Sequence, residues 1–588
     1  MLCSNAAFFM FLISVLRYAL FLLVPLSLTF TSYLYLYPAF HGCAFPSPEY
    51  DASEAYVNTL RQHTLPNLYD ATKVAPFRLL ALGDPQLEGE SSIRDIDSVN
   101  LPNLKKFFED SGIFSGTTHS PLQRVRHSLH DIIDFWLDDL PKAFEVYRKR
   151  FDHIGNDYYL GHIYRATHWW LDPTHVTVLG DLVGSQWIDD EEFEERGRRY
   201  WTRVFKHGER IPDEIMSPPA FDFQNAIMLG DDAAAWKKRI INVAGNHDVG
   251  YAGDISKDRV ARFERVFGKA NYELRFQLPS NHNSSSVSMS DIETDGRDIP
   301  EIRIMILNDM NLDTPVSDKD LQDESYQFLN DLISTSHAVE RSALFTLVLT
   351  HIPLYKDGGI CVDGPFFDFF DGEFENGVKE QNHLSRDASK GMLEGVFGMS
   401  GNAHVDGQGM GRHGIILTGH DHEGCDIYHY INQSLPEEDR EWKCDRYPEA
   451  KHLVNQSGIP GLREVTVRSM MGDFAGNAGL LSLWFDKESW EWQFEFANCG
   501  LGTQHIWWFV HILDFITVIV SIVYGVWLAV FKACSILGLH KNGTKSRKKE
   551  KKVTFDIKPD TGIDSEKWRG GADSDNREVK GEANRSRK

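Results

Sequence analysis

Five short apolar runs with the residue preferences of β-strands are each followed at once by side chains that bind metal ions, and this series limits the possible folds more than any other feature of the chain. The runs are Arg78-Leu79-Leu80-Ala81-Leu82, Val176-Thr177-Val178-Leu179, Ile240-Ile241-Asn242-Val243-Ala244, Phe345-Thr346-Leu347-Val348-Leu349 and Ile415-Ile416-Leu417-Thr418. They lead into Gly83-Asp84-Pro85-Gln86, Gly180-Asp181, Gly245-Asn246-His247-Asp248, Thr350-His351 and Gly419-His420-Asp421-His422. In a layered α/β fold the carboxyl ends of such strands gather in one crevice, so residues far apart in sequence become neighbours in space.

The convergent set is then Asp84, Gln86, Asp181, Asn246, His351, His420 and His422. Carboxylate, amide oxygen and imidazole suit hard-to-borderline divalent ions, and one Asp can bridge two ions about 3.5–4 Å apart. Two such ions would clamp a phosphoryl group and activate water for in-line attack, so the expected chemistry is dinuclear metal-dependent phosphoester hydrolysis. His247 is left over from the ligand set. It is expected either to protonate the leaving alkoxide or to stabilise charge in the transition state, with Asp248 fixing its tautomer.

The series resembles that of the calcineurin-like metallophosphoesterase superfamily, whose pattern is Asp-x-His, Gly-Asp, Gly-Asn-His-Asp, His and Gly-His-x-His. The resemblance implies a β-sandwich core flanked by helices in α-β-β-α layers. It also implies a first ion held by Asp84, Asp181 and His422 and a second held by Asp181, Asn246, His351 and His420. Asp84-Pro85-Gln86 departs from the commoner pattern, with Gln in place of His. Gln86 either ligates weakly through its amide oxygen, holds a metal-bound water, or stays outside the shell. The oxygen-rich set favours manganese over zinc. Asp-Pro-Gln, with Gly245-Asn246-His247-Asp248-Val249-Gly250-Tyr251 and Arg262-Phe263-Glu264-Arg265-Val266-Phe267-Gly268, is similar to the membrane-bound phosphoesterases that remodel GPI anchors in the endoplasmic reticulum. What that implies is removal of an ethanolamine-phosphate branch from a mannose of the GPI glycan, in support of the export of GPI-anchored proteins. The resemblance covers roughly residues 74–500.

Both ends of the chain bear on the membrane. Residues 18–37 are apolar and aromatic over a length that crosses a bilayer of about 30 Å, and Arg17 is the one charge in the first forty residues. A cleavable signal peptide competes with a span there, but the aromatic end from Tyr33 to Tyr37 reads as an interfacial belt. A second span is expected over 506–531, with His511 and Asp514 near one end as wet, unpaired interfacial residues. Lys532, Lys541 and the cluster from Lys545 to Lys552 place the tail 532–588 in the cytosol by the positive-inside rule, together with residues 1–17. The linker 38–73 and the domain 74–500 then face the lumen. The tail, read as disordered, carries sixteen Lys or Arg against nine Asp or Glu on a chain of net charge −24, so the lumenal part is strongly acidic. That balance excludes nucleic acid as a partner. The expected location is the endoplasmic reticulum membrane, with the Golgi as the alternative. Expected partners are GPI-anchored proteins or GPI lipid as substrate, the membrane itself and the export machinery.

Two insertions decorate the domain. The first, about 88–174, reads as helical over 101–150; the second, 357–414, lies between two ligand-bearing strands and is placed to cover the site or to pack as a surface excursion. Trp169, Trp170 and Trp187 are either core aromatics or sugar-stacking platforms, and His383, His404 and His413 are solvated or core histidines by default. Of the five cysteines expected in the lumen, Cys43, Cys361, Cys425, Cys444 and Cys499, at least one is unpaired, and Cys425 with Cys444 is the nearest pair. Asn283, Asn432 and Asn455 stand in Asn-x-Ser sequons. Two rival functions share these motifs: a lumenal phosphatase of other phosphoesters, and a weakly catalytic cargo receptor that binds the GPI glycan.

Overall fold

The computed structural model describes residues 6–110, 121–220, 226–278 and 297–536. The basic cluster 545–552, the rest of the tail beyond 536 and the sequon at Asn283 lie outside the described residues. Sixteen strands are described: β1 (Phe77–Leu82), β2 (His175–Val178), β3 (Glu209–Arg210), β4 (Ile227–Met228), β5 (Arg239–Asn242), β6 (Tyr272–Gln277), β7 (Glu301–Ile306), β8 (Leu344–Leu349), β9 (Phe367–Phe369), β10 (Val378–Gln381), β11 (Gly414–Thr418), β12 (Cys425–Tyr430), β13 (Lys443–Arg446), β14 (Gly461–Thr466), β15 (Asn477–Asp486) and β16 (Glu491–Gly500). One sheet runs β16-β15-β1-β2-β5-β3 and a second runs β13-β12-β14-β11-β8-β7-β6-β4. In the first, β1, β2 and β5 are parallel neighbours; in the second, β7, β8, β11 and β14 are.

The two sheets face each other. Leu79, Ala81 and Ile241 of the first share one buried cluster with Phe345, Leu347 and Ile415 of the second. The alternate residues Leu80, Val176 and Ile240, with Val348 and Ile416, turn the other way into a cluster that also takes up Leu160 and Ile163 of helix Leu140–Leu171 and Leu329 of helix Lys319–Ser334. Burial on both faces is why these strands read as continuous apolar runs, not as alternating ones. Each fully buried Leu, Ile or Phe contributes roughly 1.5–3 kcal/mol. Five of the parallel strands, β1, β2, β5, β8 and β11, end where the ligand motifs begin, so the packing of the sheets delivers all five motifs to one edge of the pair.

The first insertion is helical, with helices Pro102–Asp110, Pro121–Asp134 and Leu140–Leu171, the last two joined by a π-helical turn, Phe135–Asp139. The second carries the two-stranded sheet β9-β10 and helix Arg386–Gly391, and its Val378 carbonyl accepts from the Gly253 N–H at 2.8 Å. Residues 38–73, read above as a linker, are folded: Asp51 caps helix Ala52–Thr64, and Cys43 is bonded to Cys499 on β16. The Cys425 partner is Cys361, not the nearer Cys444, which is free and buried.

Among the described residues two helices are long and apolar enough to cross a membrane, Phe8–Tyr35 within helix Ala6–Tyr35 and Gln504–Ile536, both longer than the apolar runs suggest. The described residues divide into a large unit, within 14–525, and a small one made of residues 6–13 and 526–536. Within the small unit Phe9 meets Trp527 edge-on at 5.0 Å. Within the large unit the two apolar helices pair through Phe30 and Phe509, 5.8 Å apart, and through Asp514, which accepts from Ser27 Oγ at 2.5 Å and Thr31 Oγ1 at 2.8 Å. Asp514 is therefore not the unpaired residue expected; two hydroxyls of the other helix satisfy it where water is scarce.

Candidate metal centre

The backbone is strained where the ligand side chains emerge. Asp84, Gln86, Asp181 and His420 all take positive φ, at 48°, 42°, 51° and 72°, a region that non-glycine residues visit rarely and mostly at functional sites. The glycines in front of them are required by close approach. A Cβ on Gly180 would stand 2.1 Å from His351 Nδ1, and one on Gly245 would stand 2.3 Å from Asp181 Oδ1. The Gly-Asp and Gly-Asn-His-Asp spellings thus record loops packed against one another's ligands.

These loops assemble two side-chain clusters sharing one carboxylate. Asp181, His351 and His420 bring their ligand atoms within 4.8 Å of one another, and so do Asp84, Asp181 and His422. Asn246 joins the first group, its Oδ1 lying 3.0 Å from both His351 Nε2 and His420 Nδ1. Gln86 joins the second, its amide nitrogen donating to Asp181 Oδ2 at 3.0 Å and to His422 Nε2 at 3.1 Å. All seven residues expected to converge are brought together.

The arrangement fits cations. His351 Nδ1 donates to the Leu179 carbonyl at 2.7 Å and His420 Nε2 to the Gln381 carbonyl at 2.8 Å, so both ring protons are committed to backbone oxygens. Burial holds His420 down to about 3, with His351 adding to it, and burial also lowers His351. Both rings are therefore neutral, and their remaining lone pairs face the Asn246 oxygen at hydrogen-bond distance with no proton between them. A positive ion among these atoms relieves that repulsion. Asp84 tells the same story: one oxygen accepts from the His420 N–H at 3.0 Å, while Oδ2 is buried without a partner. Burial and the adjacent Asp181 raise Asp84 well above the usual carboxylate range. Burial works against ionisation of Asp181 as well, but the adjacent His247, whose backbone N–H donates to Oδ1 at 2.9 Å, favours the carboxylate and holds it low.

His247 and Asp248 do not form the pair expected. Asp248 accepts from the backbone N–H groups of Leu182, Val183 and Gly245 at 3.2, 3.0 and 2.9 Å, tying two ligand loops together, and it has no bond to the His247 ring. One turn of helix, Asn246–Val249, turns the two side chains apart. Burial and Asp181 push Asp248 up to about 8. His247 is instead oriented through its own N–H, which donates to Asp181 Oδ1 at 2.9 Å; its ring, one-third exposed, sits with Nε2 3.7 Å from Asp181 Oδ2.

The pocket over the clusters, about 290 Å³, is walled by Tyr251 of the Gly245–Tyr251 motif and by residues that the sequence did not single out: Phe474 and, from the second insertion, Asp363, Glu380 and Asn382. The Gln381 carbonyl that orients His420 comes from the same strand, β10, so the insertion is part of the site and not a surface excursion. The signal for it was position alone, between strands bearing His351 and His420. Of the tryptophans, Trp170 is buried and donates to the Cys43 carbonyl, Trp169 lies against His63, and exposed Trp187 meets Phe370 of the insertion at 6.3 Å. His383 is buried, and burial brings it down to about 3.

An acid-and-imidazole site with one shared carboxylate, set on strand ends of two facing sheets, is the site of a metallophosphoesterase. No family model matches the chain. Protein TED1 of Saccharomyces cerevisiae is 33% identical over 414 residues, covering 63% of this chain and 77% of that one. Metallophosphoesterase 1 of Rattus norvegicus is 24% identical over 306 residues, 52% of this chain and 60% of that protein, and Metallophosphoesterase 1 of Danio rerio is 22% identical over 339 residues, 54% and 68%. The chain belongs to the calcineurin-like metallophosphoesterases, within their GPI-remodelling branch.

Proposed function

We propose that the protein is a phosphodiesterase that removes an ethanolamine-phosphate branch from a mannose of the GPI glycan. Its two sheets are then the α-β-β-α sandwich of the superfamily, spanning about 74–500, and its domain lies in the lumen of the endoplasmic reticulum between two membrane spans. The observation that carries this reading is the charge of the pocket wall. Asp363, Glu380 and Glu423 ring a centre built to neutralise a phosphoryl anion. Ethanolamine phosphate carries an ammonium two carbons beyond its phosphoester oxygen, so one ligand satisfies both the centre and the acidic rim, which an ordinary phosphomonoester does not.

Asp84, Gln86, Asp181 and His422 would hold one divalent ion and Asp181, Asn246, His351 and His420 the other, with manganese favoured by the oxygen share of the set. When bound, such ions supply charge neutralisation for the phosphoryl oxygens and acidify water. The chain's own part is positional. Leu179 and Gln381 fix the imidazole tautomers, and the Asp248 carboxylate holds the Asp181 and Asn246 loops in register. His247, partly exposed over the shared carboxylate, is placed to give a proton to the departing mannose oxygen. Gln86 favours one second reading: its amide N–H groups lie where an ion would, which suits a weakly catalytic glycan receptor. Turning the amide over presents its oxygen instead, and the retained position of His247 supports catalysis.

Mass spectrometry of GPI glycans incubated with the full-length, manganese-loaded protein tests the reading. Loss of one ethanolamine phosphate is expected, absent in Asp181→Asn and His247→Ala variants. Binding of the glycan without change by wild-type protein would transfer the case to the receptor.

A further inference from the structure

Between Val125 and Tyr158 the first insertion presents an apolar stripe to the outside. Leu129, Ile133, Leu137, Leu140, Phe144, Tyr147 and Phe151 recur at three- or four-residue intervals across the π-helical turn, and Leu137, Phe144 and Phe151 are 76%, 71% and 67% exposed. At 1.5 Å per residue the stripe is about 50 Å long. Its neighbours around the helix are charged and paired with each other: Lys142 with Asp138 at 2.8 Å, and Arg148 with Glu145 and Asp152. Among the described residues this amphipathic helix keeps its apolar side exposed over most of its length, and a contiguous exposed apolar surface of this kind marks an interaction or membrane site.

The same helix is fastened to the start of the second apolar helix. Asn156 Oδ1 accepts from Gln504 Nε2 at 3.0 Å, the Gly502 carbonyl accepts from Tyr159 Oη at 2.7 Å, and Gly155 is so close to Trp508 that a Cβ there would stand 1.7 Å from the indole. A cleft of about 880 Å³ lies between the two, lined by Phe144 and Phe151 of the one, Trp508 and Ile512 of the other, and Gln86 of the candidate centre. The stripe is thus continuous with side chains at the entry of a membrane span.

We propose that residues 125–158 lie in the membrane interface, with the stripe sunk into the boundary of headgroups and acyl chains. Burial of apolar area drives this docking. The segment holds five Lys or Arg against seven Asp or Glu, so attraction to anionic lipid contributes nothing and neutral phosphatidylcholine suffices. If the proposed substrate is correct, a phosphoester headgroup carried on a lipid reaches Gln86 along the cleft without leaving the bilayer; the docking itself does not depend on that reading.

The test needs no turnover. Benzoylphenylalanine is placed in the full-length protein at Leu137, Phe144, Glu145 or, as a lipid-facing reference, Ile522; the proteins are reconstituted in phosphatidylcholine nanodiscs, irradiated, and lipid adducts are counted by mass spectrometry. Adducts at Leu137 and Phe144 are expected to approach the Ile522 level and to exceed Glu145 by roughly threefold or more, with no gain from added phosphatidylserine. Adducts at Ile522 alone, or equal yields at Phe144 and Glu145, would overturn the proposal and leave the stripe to a protein partner. Either result is independent of whether the protein hydrolyses GPI.

Discussion

At the residue scale the centre works through backbone geometry as much as through its ligands. The motif residues were legible in the sequence because each motif follows a strand and four of the five open on a glycine, which the neighbouring loop forbids from carrying a Cβ at Gly180 and Gly245. The role of Asp248 was not legible: adjacency to His247 suggested a pair, but one helical turn separates the side chains and sends the carboxylate to three amides. Removing it in Asp248→Ala leaves those buried N–H groups without an acceptor, at roughly 1–3 kcal/mol each before relaxation, and a clear fall in Tm is expected in thermal denaturation. Asp248→Asn, which keeps an acceptor oxygen, should retain most kcat with an unshifted pH profile, whereas a loss equal to that of His247→Ala would restore the pair. Gln86 offers a second check. In Gln86→His an imidazole replaces the amide beside Asp181 and His422, and chelator titration should show the more weakly held ion retained about tenfold more tightly.

At the scale of elements the five ligand-bearing strands were plain because both faces of each are buried, which writes them as unbroken apolar runs. The second insertion was harder to read. Its strands β9 and β10 are short and have no regular apolar pattern, so position between the strands bearing His351 and His420 pointed to the insertion but not to Glu380, Gln381 and Asn382 in particular. Disulfide pairing failed on proximity in sequence for a reason of register: β12 and β13 set Cys444 opposite His429, four residues and about 13 Å along the strand from Cys425. The Cys43–Cys499 bond closes a loop of 456 residues and joins the segment after the first apolar helix to the last strand before the second. A Cys43→Ser, Cys499→Ser variant is expected to lose about 2–5 kcal/mol, read as a lower Tm in non-reducing conditions. An unchanged Tm would mean that the sheets alone hold these ends.

At the scale of the whole molecule, hydropathy located the two apolar helices but carried no information about their contact, so the bonds from Ser27 and Thr31 to Asp514 had no trace in the sequence. Such bonds contribute about 1 kcal/mol in lipid, and Asp514→Leu should loosen the helix pair modestly, seen as weaker crosslinking between cysteines placed on the two helices. The proposed activity rests on two ions held over one shared carboxylate. The decisive measurement is metal content by plasma mass spectrometry, paired with turnover of an ethanolamine-phosphate diester, for wild type, Asp181→Asn and His247→Ala. Two divalent ions per chain are expected in wild type, with both ions and turnover lost in Asp181→Asn. In His247→Ala both ions should remain while kcat falls by roughly 10²–10⁴. Full turnover by metal-free protein, or by Asp181→Asn, would contradict the account.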